Sequence, residues 1–319
     1  MFAADFDYHK ATTVAEAIQL LGAHQDAKLL AGGHSLIPLM KLRLARPSAL
    51  IDIGGIADLK SISVTNNSLR IGALVTHGTV ASSPEVQQAN PLVAEMAAGI
   101  GDPQVRNWGT VGGNIVHADP SSDWGTVLTA MEASIEIQGP SGTRTAAVGD
   151  FFQGAFETTV GDNEIVTGVV VPTLVGHVHE ADHGHGHGHD HDDHGHGHGH
   201  GQVEIHGQVG EYAKMSHPAS FYAVVGGAVV VTVQDNRCTA AKIAVGGLIP
   251  SPVRSPSVEN ALVGKELTQE NVTAAANHLP DDLGDNIIGD LFASADFRKA
   301  MAPIEVKHAL FHAIGLAHH

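Results

Sequence analysis

The sequence predicts an α+β protein built from three structural units, and three observations support that prediction. Helical and strand patterns alternate along the first half of the chain. Two apolar strands follow further on, and a histidine- and glycine-rich segment separates these halves. At 319 residues the chain is too long for one ordinary core. The predicted boundaries are 1–56 and 57–175 for two α/β units, 176–210 for a flexible insertion, and 211–319 for a C-terminal domain with an antiparallel sheet and helices.

The first unit begins with a helix whose start is marked by a capping box, Thr13 with Glu16. Gly22 is the expected end of this helix, because glycine commonly terminates helices. Two short apolar strands are predicted at 28–30 and 49–56, with a second helix between them. The unit is therefore a small α/β layer.

The second unit has further strand signals. A strand at 69–75 precedes a helix that starts at Pro91, since proline favours the first turn of a helix. The run 133–147 carries the turn sequence GPSG in its middle and predicts a hairpin. Another apolar strand is predicted at 164–172, which completes a mixed unit of helices and strands.

The third unit combines a hairpin with helices. Two apolar strands lie on either side of Asp235 and Asn236, residue types that tolerate the positive φ of a tight hairpin turn. Apolar residues at helical spacing predict a closing helix over 303–315. We therefore expect an antiparallel sheet covered by helices in this part of the chain.

Composition excludes several classes of function. Lys and Arg number 17 against 34 Asp and Glu, so the formal net charge of −17 would repel a nucleic-acid backbone. No apolar run reaches the ~18 residues of a membrane span, and the N-terminal stretch does not have the pattern of a signal peptide. We expect a cytoplasmic protein that reaches the inner face of the membrane only through partners. The single cysteine, Cys238, can supply neither an internal disulfide nor an iron–sulfur cluster.

A histidine-rich segment interrupts the chain. Residues 177–206 hold 12 of the 23 histidines, and the centre at 183–201 is almost entirely Gly, His and Asp. Such a composition cannot pack a core, so we predict a flexible loop. Imidazoles that alternate with glycine bind Zn, Ni or Cu, and a solvated loop without a metal is the competing interpretation. The candidate metal ligands are His183, His185, His187, His189 and His191.

Two diglycine turns are the strongest candidates for a ligand site. The first, AGGHS at 31–35, lies between a strand and a helix, where backbone N–H groups lack partners and can bind an anion. The second, TVGGN at 110–114, pairs its glycines with a hydroxyl and an amide. A tight turn without a ligand is the alternative for each alone. Two such turns suit a dinucleotide, because its two phosphates need anion-binding backbone on both sides. Neither turn follows the Rossmann or P-loop pattern, which argues against a nicotinamide Rossmann site and a P-loop nucleotide site.

These residues resemble a known family. AGGHSLIPLMKLRLARPSALIDIGGI and TVGGNIVHADPSSDWGTVLTAMEASIEI look like the PCMH-type FAD-binding fold in FAD-binding subunits of molybdenum hydroxylases. KMSHPASFYAVVGGAVVV resembles that family's C-terminal flavoprotein domain, and DFRKAMAPIEVKHAL resembles its closing helix. The paired diglycines are specific to the family. The AGGHS form is most similar to medium subunits of the aerobic carbon monoxide dehydrogenase type.

The resemblance implies a set of FAD-binding residues. The two turns would hold the diphosphate and ribityl chain, Asp123 would accept from cofactor hydroxyls, and Lys214 would lie near the flavin edge, where a cation raises the flavin potential. An exposed surface cation is the alternative for Lys214. His77 is kept as a further candidate. The implied residues are Ala31, Gly32, Gly33, His34, Ser35, Leu36, Ile100, Gly101, Thr110, Gly112, Gly113, Asn114, Ser122, Asp123 and Lys214.

The resemblance also implies a place in a larger complex. A molybdenum-containing large subunit and a small subunit with 2Fe–2S clusters would be the partners, in a dimer of heterotrimers, and the flavin would pass electrons to a quinone or another acceptor. No catalytic residue is expected in this chain itself. Three alternatives stay open: the flavin subunit of a xanthine- or aldehyde-type hydroxylase, a self-sufficient flavin oxidase, and a histidine-rich metal-binding protein on a flavoprotein scaffold. His34 could also bond covalently to the flavin, as a histidine does in some related oxidases.

Overall fold

A three-stranded parallel sheet forms the first unit of the structure, a computed structural model that describes residues 2–174, 176–179 and 204–316. The elements of this unit are β1 (Asp7–Lys10), α1 (Val14–Ala23), β2 (Lys28–Leu30), α2 (Leu36–Lys41) and β3 (Ala49–Asp52). The strand order is β1-β3-β2. Leu30 aligns with Asp52 in the parallel register, so the turn that follows β2 leaves the carboxyl end of the sheet.

The first helix confirms its predicted start but not its predicted end. The Thr13 hydroxyl accepts a hydrogen bond from the Glu16 N–H, as a capping box requires. Gly22 does not end the helix, because α1 continues to Ala23 and the N–H of His24 still bonds to Leu20 O. The prediction for Gly22 was wrong. The helical hydrogen bonds were sufficient to continue the helix beyond the glycine.

A five-stranded antiparallel sheet with helices forms the second unit. Its strand order is β4-β5-β10-β6-β7, and the predicted hairpin corresponds to β6 and β7. In chain order, after a one-turn 3₁₀ helix at Ala57–Lys60, the elements are β4 (Ile62–Thr65), β5 (Ser68–Gly72), α3 (His77–Ser82), α4 (Pro84–Ala89), α5 (Pro91–Ala98), α6 (Pro103–Trp108), α7 (Val111–His117), α8 (Asp123–Ala130), β6 (Ser134–Gly139), β7 (Gly142–Ala147), α9 (Val148–Phe151), β8 (Phe152–Gly154), β9 (Glu157–Thr158) and β10 (Ile165–Pro172).

A second five-stranded antiparallel sheet, of order β11-β12-β13-β14-β15, forms the third unit. Asp235 and Asn236 form the tight turn between two of its strands, with φ of 50° and 56° as predicted for that hairpin. The elements are β11 (Gly176–His179), β12 (Glu204–Ser216), β13 (Ala223–Gln234), β14 (Arg237–Gly246), β15 (Val253–Arg254), α10 (Pro256–Leu262), α11 (Gln269–Ala276), a one-turn 3₁₀ helix at Leu279–Asp282, and α12 (Ala295–Ala313).

Two predictions for this unit need correction. The segment 176–210 is not an insertion throughout, because β11 pairs with the first residues of β12 in an antiparallel ladder. The core of that segment, 183–201, lies outside the described residues, and so do its candidate metal ligands. The closing helix starts at Ala295 rather than at Pro303, because Ser294 caps it and the proline lies inside it. Packing of α12 on β12 and β13 outweighs the helix-breaking tendency of proline.

The core joins the second unit to the third. Trp124 on α8 is fully buried in a cluster that also contains Ala228, Val230 and Ala244 of the third unit. Helix α8 therefore packs both on its own unit and on strands β13 and β14. The start of α8 is thus placed where the second and third units meet.

Within the described ranges, every helix is too short or too polar to span a lipid bilayer.

Candidate functional site

The first diglycine turn presents a row of free backbone donors. In the described part of the chain, no group accepts a hydrogen bond from the N–H of Gly32, Gly33, His34 or Ser35. Gly33 has a φ of +73°, a conformation that side chains rarely adopt. The His34 ring folds back, with Nδ1 3.1 Å from Gly32 O. Adjacent N–H groups without partners are the arrangement that binds phosphate oxygens.

In the second diglycine turn, the N–H groups of residues 111–114 all have hydrogen-bond acceptors. The N–H of Val111 bonds to Val75 O, and the N–H of Gly112 bonds to Ala73 O at 2.8 Å. The N–H of Gly113 bonds at 3.1 Å to the Thr110 hydroxyl, which caps α7, and the N–H of Asn114 bonds to the Thr110 carbonyl oxygen. Binding of the diphosphate or ribityl chain by this second turn stays a prediction, and the first turn is the one with consecutive N–H groups that lack acceptors in the described residues. The glycines of the second turn allow close packing. A Cβ on Gly112 would lie 2.5 Å from the Ala73 Cβ, so the turn could not pack against Ala73 with a side chain at this position.

The two turns lie against each other. A Cβ built on Gly113 would be 3.9 Å from the Ala31 Cβ, and a Cβ on Gly32 would lie 2.0 Å from Trp108 O. Glycine at Gly32 lets the first turn pack against residues 108–109, which lead into the second turn, and any side chain there would collide with that backbone. The space next to the free N–H groups of the first turn is therefore bounded by the second. This cradle fits the diphosphate of a dinucleotide.

Polar side chains continue from the second turn to the start of α8. The Ser122 hydroxyl donates to Asn114 Oδ1 at 2.5 Å, and the same serine caps α8. Asp119 accepts from the N–H of Ser121, which keeps its carboxylate in the loop between the two helices. The structure thus brings Asn114 and Ser122 together, and their contact with the cofactor stays a prediction.

Asp123 and Lys214 form a buried ion pair. Lys214 Nζ lies 2.6 Å from Asp123 Oδ2, and the Tyr212 hydroxyl donates to Asp123 Oδ1 at 2.7 Å. Burial raises the pKa of the Asp123 carboxyl, while the Lys214 ammonium and the Tyr212 hydroxyl act in the opposite direction. The surface-cation alternative for Lys214 is wrong, because its side chain is only 12% exposed. Contact of either residue with the cofactor stays a prediction.

The segment before α6 is held by two cations. Lys214 Nζ also donates to Gly99 O, and the Arg106 guanidinium donates to Ile100 O and Gly101 O, each at 2.9 Å. Gly101 has a φ of +50°, and Ile100 is buried. The carbonyl oxygens of this segment therefore point towards positive charge. The resemblance places Ile100 and Gly101 beside the flavin, and their contact with it stays a prediction.

His77 lies directly behind the two turns. Its Nδ1 accepts a hydrogen bond from the Trp124 indole at 3.1 Å, so the ring proton is on Nε2, because an indole N–H can only donate. Burial lowers the pKa of His77 to about 4, with smaller effects from the charges of His34 and Arg106. A Cβ on Gly109 would lie 3.0 Å from His77 Nε2. His77 is thus a neutral support for the turn at Gly109.

Sequence reasoning missed Tyr212, Trp124 and Arg106. Tyr212 is two residues before Lys214 on β12, so both side chains point to the same face of the strand. That spacing was the available signal for Tyr212, and it could be used only once the strand was known. Trp124 and Arg106 carry no local pattern that separates them from core and surface residues. Their roles follow from contacts between distant segments.

Comparison with known proteins gives matches over almost the whole chain. Residues 4–174 match the family described as FAD binding domain in molybdopterin dehydrogenase, and residues 211–311 match the CO dehydrogenase flavoprotein C-terminal domain. The carbon monoxide dehydrogenase medium chain of Hydrogenophaga pseudoflava is 36% identical, with 96% of each chain covered. The nicotine 6-hydroxylase medium subunit of Paenarthrobacter nicotinovorans is 31% identical, again with 96% of each chain covered.

A solved structure is similar over the same length. It is carbon monoxide dehydrogenase from Hydrogenophaga pseudoflava, in a form that lacks the Mo-pyranopterin moiety of the molybdenum cofactor. The TM-score is 0.85 at 36% identity, and 99% of each chain is covered. The order of strands and helices described above is therefore shared along the full length of both chains.

Proposed function

The chain belongs to the family of FAD-binding subunits of molybdenum hydroxylases, and from this membership we propose that it is the flavin subunit of an aerobic carbon monoxide dehydrogenase. The predicted fold class is confirmed, and FAD is the cofactor, as predicted. In the proposed complex a small subunit delivers electrons from 2Fe–2S clusters, and a quinone or another acceptor receives them. A molybdenum-containing large subunit would oxidise the substrate.

The observation that supports this proposal is the contact between the two diglycine turns. The N–H groups of Gly32, Gly33, His34 and Ser35 would bind the diphosphate, because they have no partner within the described residues. Gly113 brings the second turn against the first, 3.9 Å from Ala31 when measured from a built Cβ. The cofactor supplies one- and two-electron redox chemistry when bound. The chain supplies anion binding and orientation.

Lys214 and the segment at Ile100 and Gly101 would border the flavin ring. The Lys214 ammonium is held in place by Asp123 and by two carbonyl oxygens, of Gly99 and Phe221. A fixed positive charge at the edge of a flavin favours the reduced form. The proposed role of Asp123 follows from this geometry: it orients Lys214, whereas direct acceptance from cofactor hydroxyls would require it to exchange its present partners. The proposed domain limits remain 1–56, 57–175 and 211–319, with β11 and the first residues of β12 paired inside the connecting segment 176–210.

The test uses the complex isolated through an affinity tag on this chain. We expect a yellow complex with two further subunits in which CO reduces an added dye and bleaches the flavin. Nicotine, xanthine and glyceraldehyde serve as parallel substrates. Turnover of one of these in place of CO would assign the chain to another molybdenum hydroxylase. Turnover by the chain alone would support a flavin oxidase, and a colourless, folded chain would contradict flavin binding.

A second candidate is another hydroxylase of the same family. The 31% identity to the nicotine 6-hydroxylase medium subunit favours it specifically, because that relative is covered to the same extent. We expect no catalytic residue in this chain, so its own sequence discriminates weakly between substrates. Mass spectrometry of the co-purified large subunit, combined with the substrate panel, distinguishes the two. The mass of the intact complex tests the proposed dimer of heterotrimers.

A further inference from the structure

Three potential metal ligands meet at the edge of the first unit, at Asp7, His9 and His24. One ligand atom from each lies within 4.8 Å of the others. The rings of His9 and His24 are 4.3 Å apart between centroids, at an interplanar angle of 35°. Asp7 and His9 share one face of β1, since side chains alternate along a strand, and His24 follows the end of α1. Two imidazoles and a carboxylate therefore converge from two elements.

One nitrogen of the His9 ring lacks any hydrogen-bond partner. His9 Nε2 is buried and makes no hydrogen bond. Among the described residues, it is the one buried side-chain nitrogen or oxygen without a hydrogen-bond partner. Buried polar atoms are almost always bonded, so an unpaired imidazole nitrogen beside two other ligands suggests a missing partner. A metal ion would accept its lone pair.

We propose that Asp7, His9 and His24 form a binding site for a divalent transition metal ion of the Zn²⁺ type. Neutral imidazole and carboxylate are ordinary Zn²⁺ ligands, at about 2.0–2.2 Å. A tetrahedral ion needs donor atoms about 3.3 Å apart, which small side-chain rotations reach from the present separation. Three protein ligands leave a fourth position for water. The metal would tie the end of α1 to the edge strand β1.

The site is separate from the cofactor cradle. In the parallel sheet, Asp7 aligns with Ala49 at the start of β3, whereas Leu30 and the first diglycine turn lie at the opposite, carboxyl end. Loss of the metal is therefore expected to leave flavin content unchanged. The site also does not depend on the histidine-rich segment, because its ligands lie within the first 24 residues. Binding there and binding by that segment must be separated by the experiment.

The test compares the full-length chain with His9→Phe and His24→Phe, which keep a ring in each position. His278→Phe is the matched control, because His278 is 57% exposed and contacts only an acidic neighbour on its own segment. Equimolar Zn²⁺ should raise the unfolding temperature of the wild type and of the control. The shift should be lost in both other variants. An equal shift in all four proteins would overturn the proposal.

Anomalous diffraction at the zinc edge provides a second readout that does not depend on the variants. Crystals of the full chain grown with Zn²⁺ should show a peak between the three side chains. A peak elsewhere in the molecule with none at this position would also overturn the proposal. Flavin absorbance per chain should stay constant throughout, which separates this outcome from failure of the proposed function.

Discussion

Lys214 and Asp123 lie 91 positions apart in the chain and meet at 2.6 Å, the lysine on a strand of the third unit and the aspartate at the start of a helix of the second. Their side chains are 12% and 5% exposed. The pair therefore joins two units through charges that are largely shielded from water. Tyr212 donates to the same carboxylate and belongs to the same strand as Lys214.

Removing the cation should destabilise the fold. In Lys214→Met the Asp123 carboxylate loses its buried partner, and we expect the free energy of unfolding to fall by about 3–5 kcal/mol. The double variant Asp123→Asn/Lys214→Met should recover part of this loss, because no unpaired charge remains. Urea denaturation of all three proteins measures the effect.

Lys242→Met is the control for this prediction. Lys242 pairs with Glu132, but the glutamate is 55% exposed, so the loss should be no more than about 1 kcal/mol. Equal losses in Lys214→Met and Lys242→Met would show that burial does not distinguish the two pairs.

Gly32→Ala should abolish flavin binding. The added Cβ would lie 2.0 Å from Trp108 O and would push the first turn away from the backbone that leads into the second turn. Overpacking of this kind costs about 1–3 kcal/mol of stability. We expect a colourless protein, measured as absorbance at flavin wavelengths relative to protein absorbance. Gly149→Ala is the control, since nothing lies within 4 Å of its Cβ position. A fully yellow Gly32→Ala protein would contradict the cradle.

His77 should make stability fall at mildly acidic pH. Its pKa is about 4 in the folded protein, against 6.5 in the unfolded chain, because burial disfavours the charged ring. The unfolded state therefore takes up a proton first as the pH drops from 6.5 to 4, and stability decreases by up to about 3 kcal/mol over that window. His77→Asn does not titrate and keeps an acceptor for Trp124. Urea denaturation at pH 7 and pH 4.5 should show a smaller decrease for this variant.

The flavin should be released by acid. The His34 ring bonds back to Gly32 O through Nδ1, which engages one of the two nitrogens that a covalent link would use. Precipitation of the protein with trichloroacetic acid should therefore leave a yellow supernatant and a white pellet. A yellow pellet in the wild type that turns white in His34→Ala would establish a covalent bond instead.

Much of the fold could be predicted because the relevant preferences are local. Thr13 with Glu16 marks a helix start within four residues, and Asp235 with Asn236 marks a turn within two. Gly33 stands where a positive φ is needed. These signals depend on the backbone conformations that each residue type tolerates, so neighbours in the sequence are sufficient to express them.

The order of the units, the two diglycine turns and the family could all be inferred from residue types and their spacing along the chain. The three-dimensional packing was needed to show that the first turn keeps free N–H groups while residues 111–114 of the second turn bond theirs, and that Lys214 is buried against Asp123. It also brought His9 against His24. These features follow from contacts between distant segments, because hydrogen-bond saturation and charge burial depend on which segments pack together, and residue types alone do not specify that.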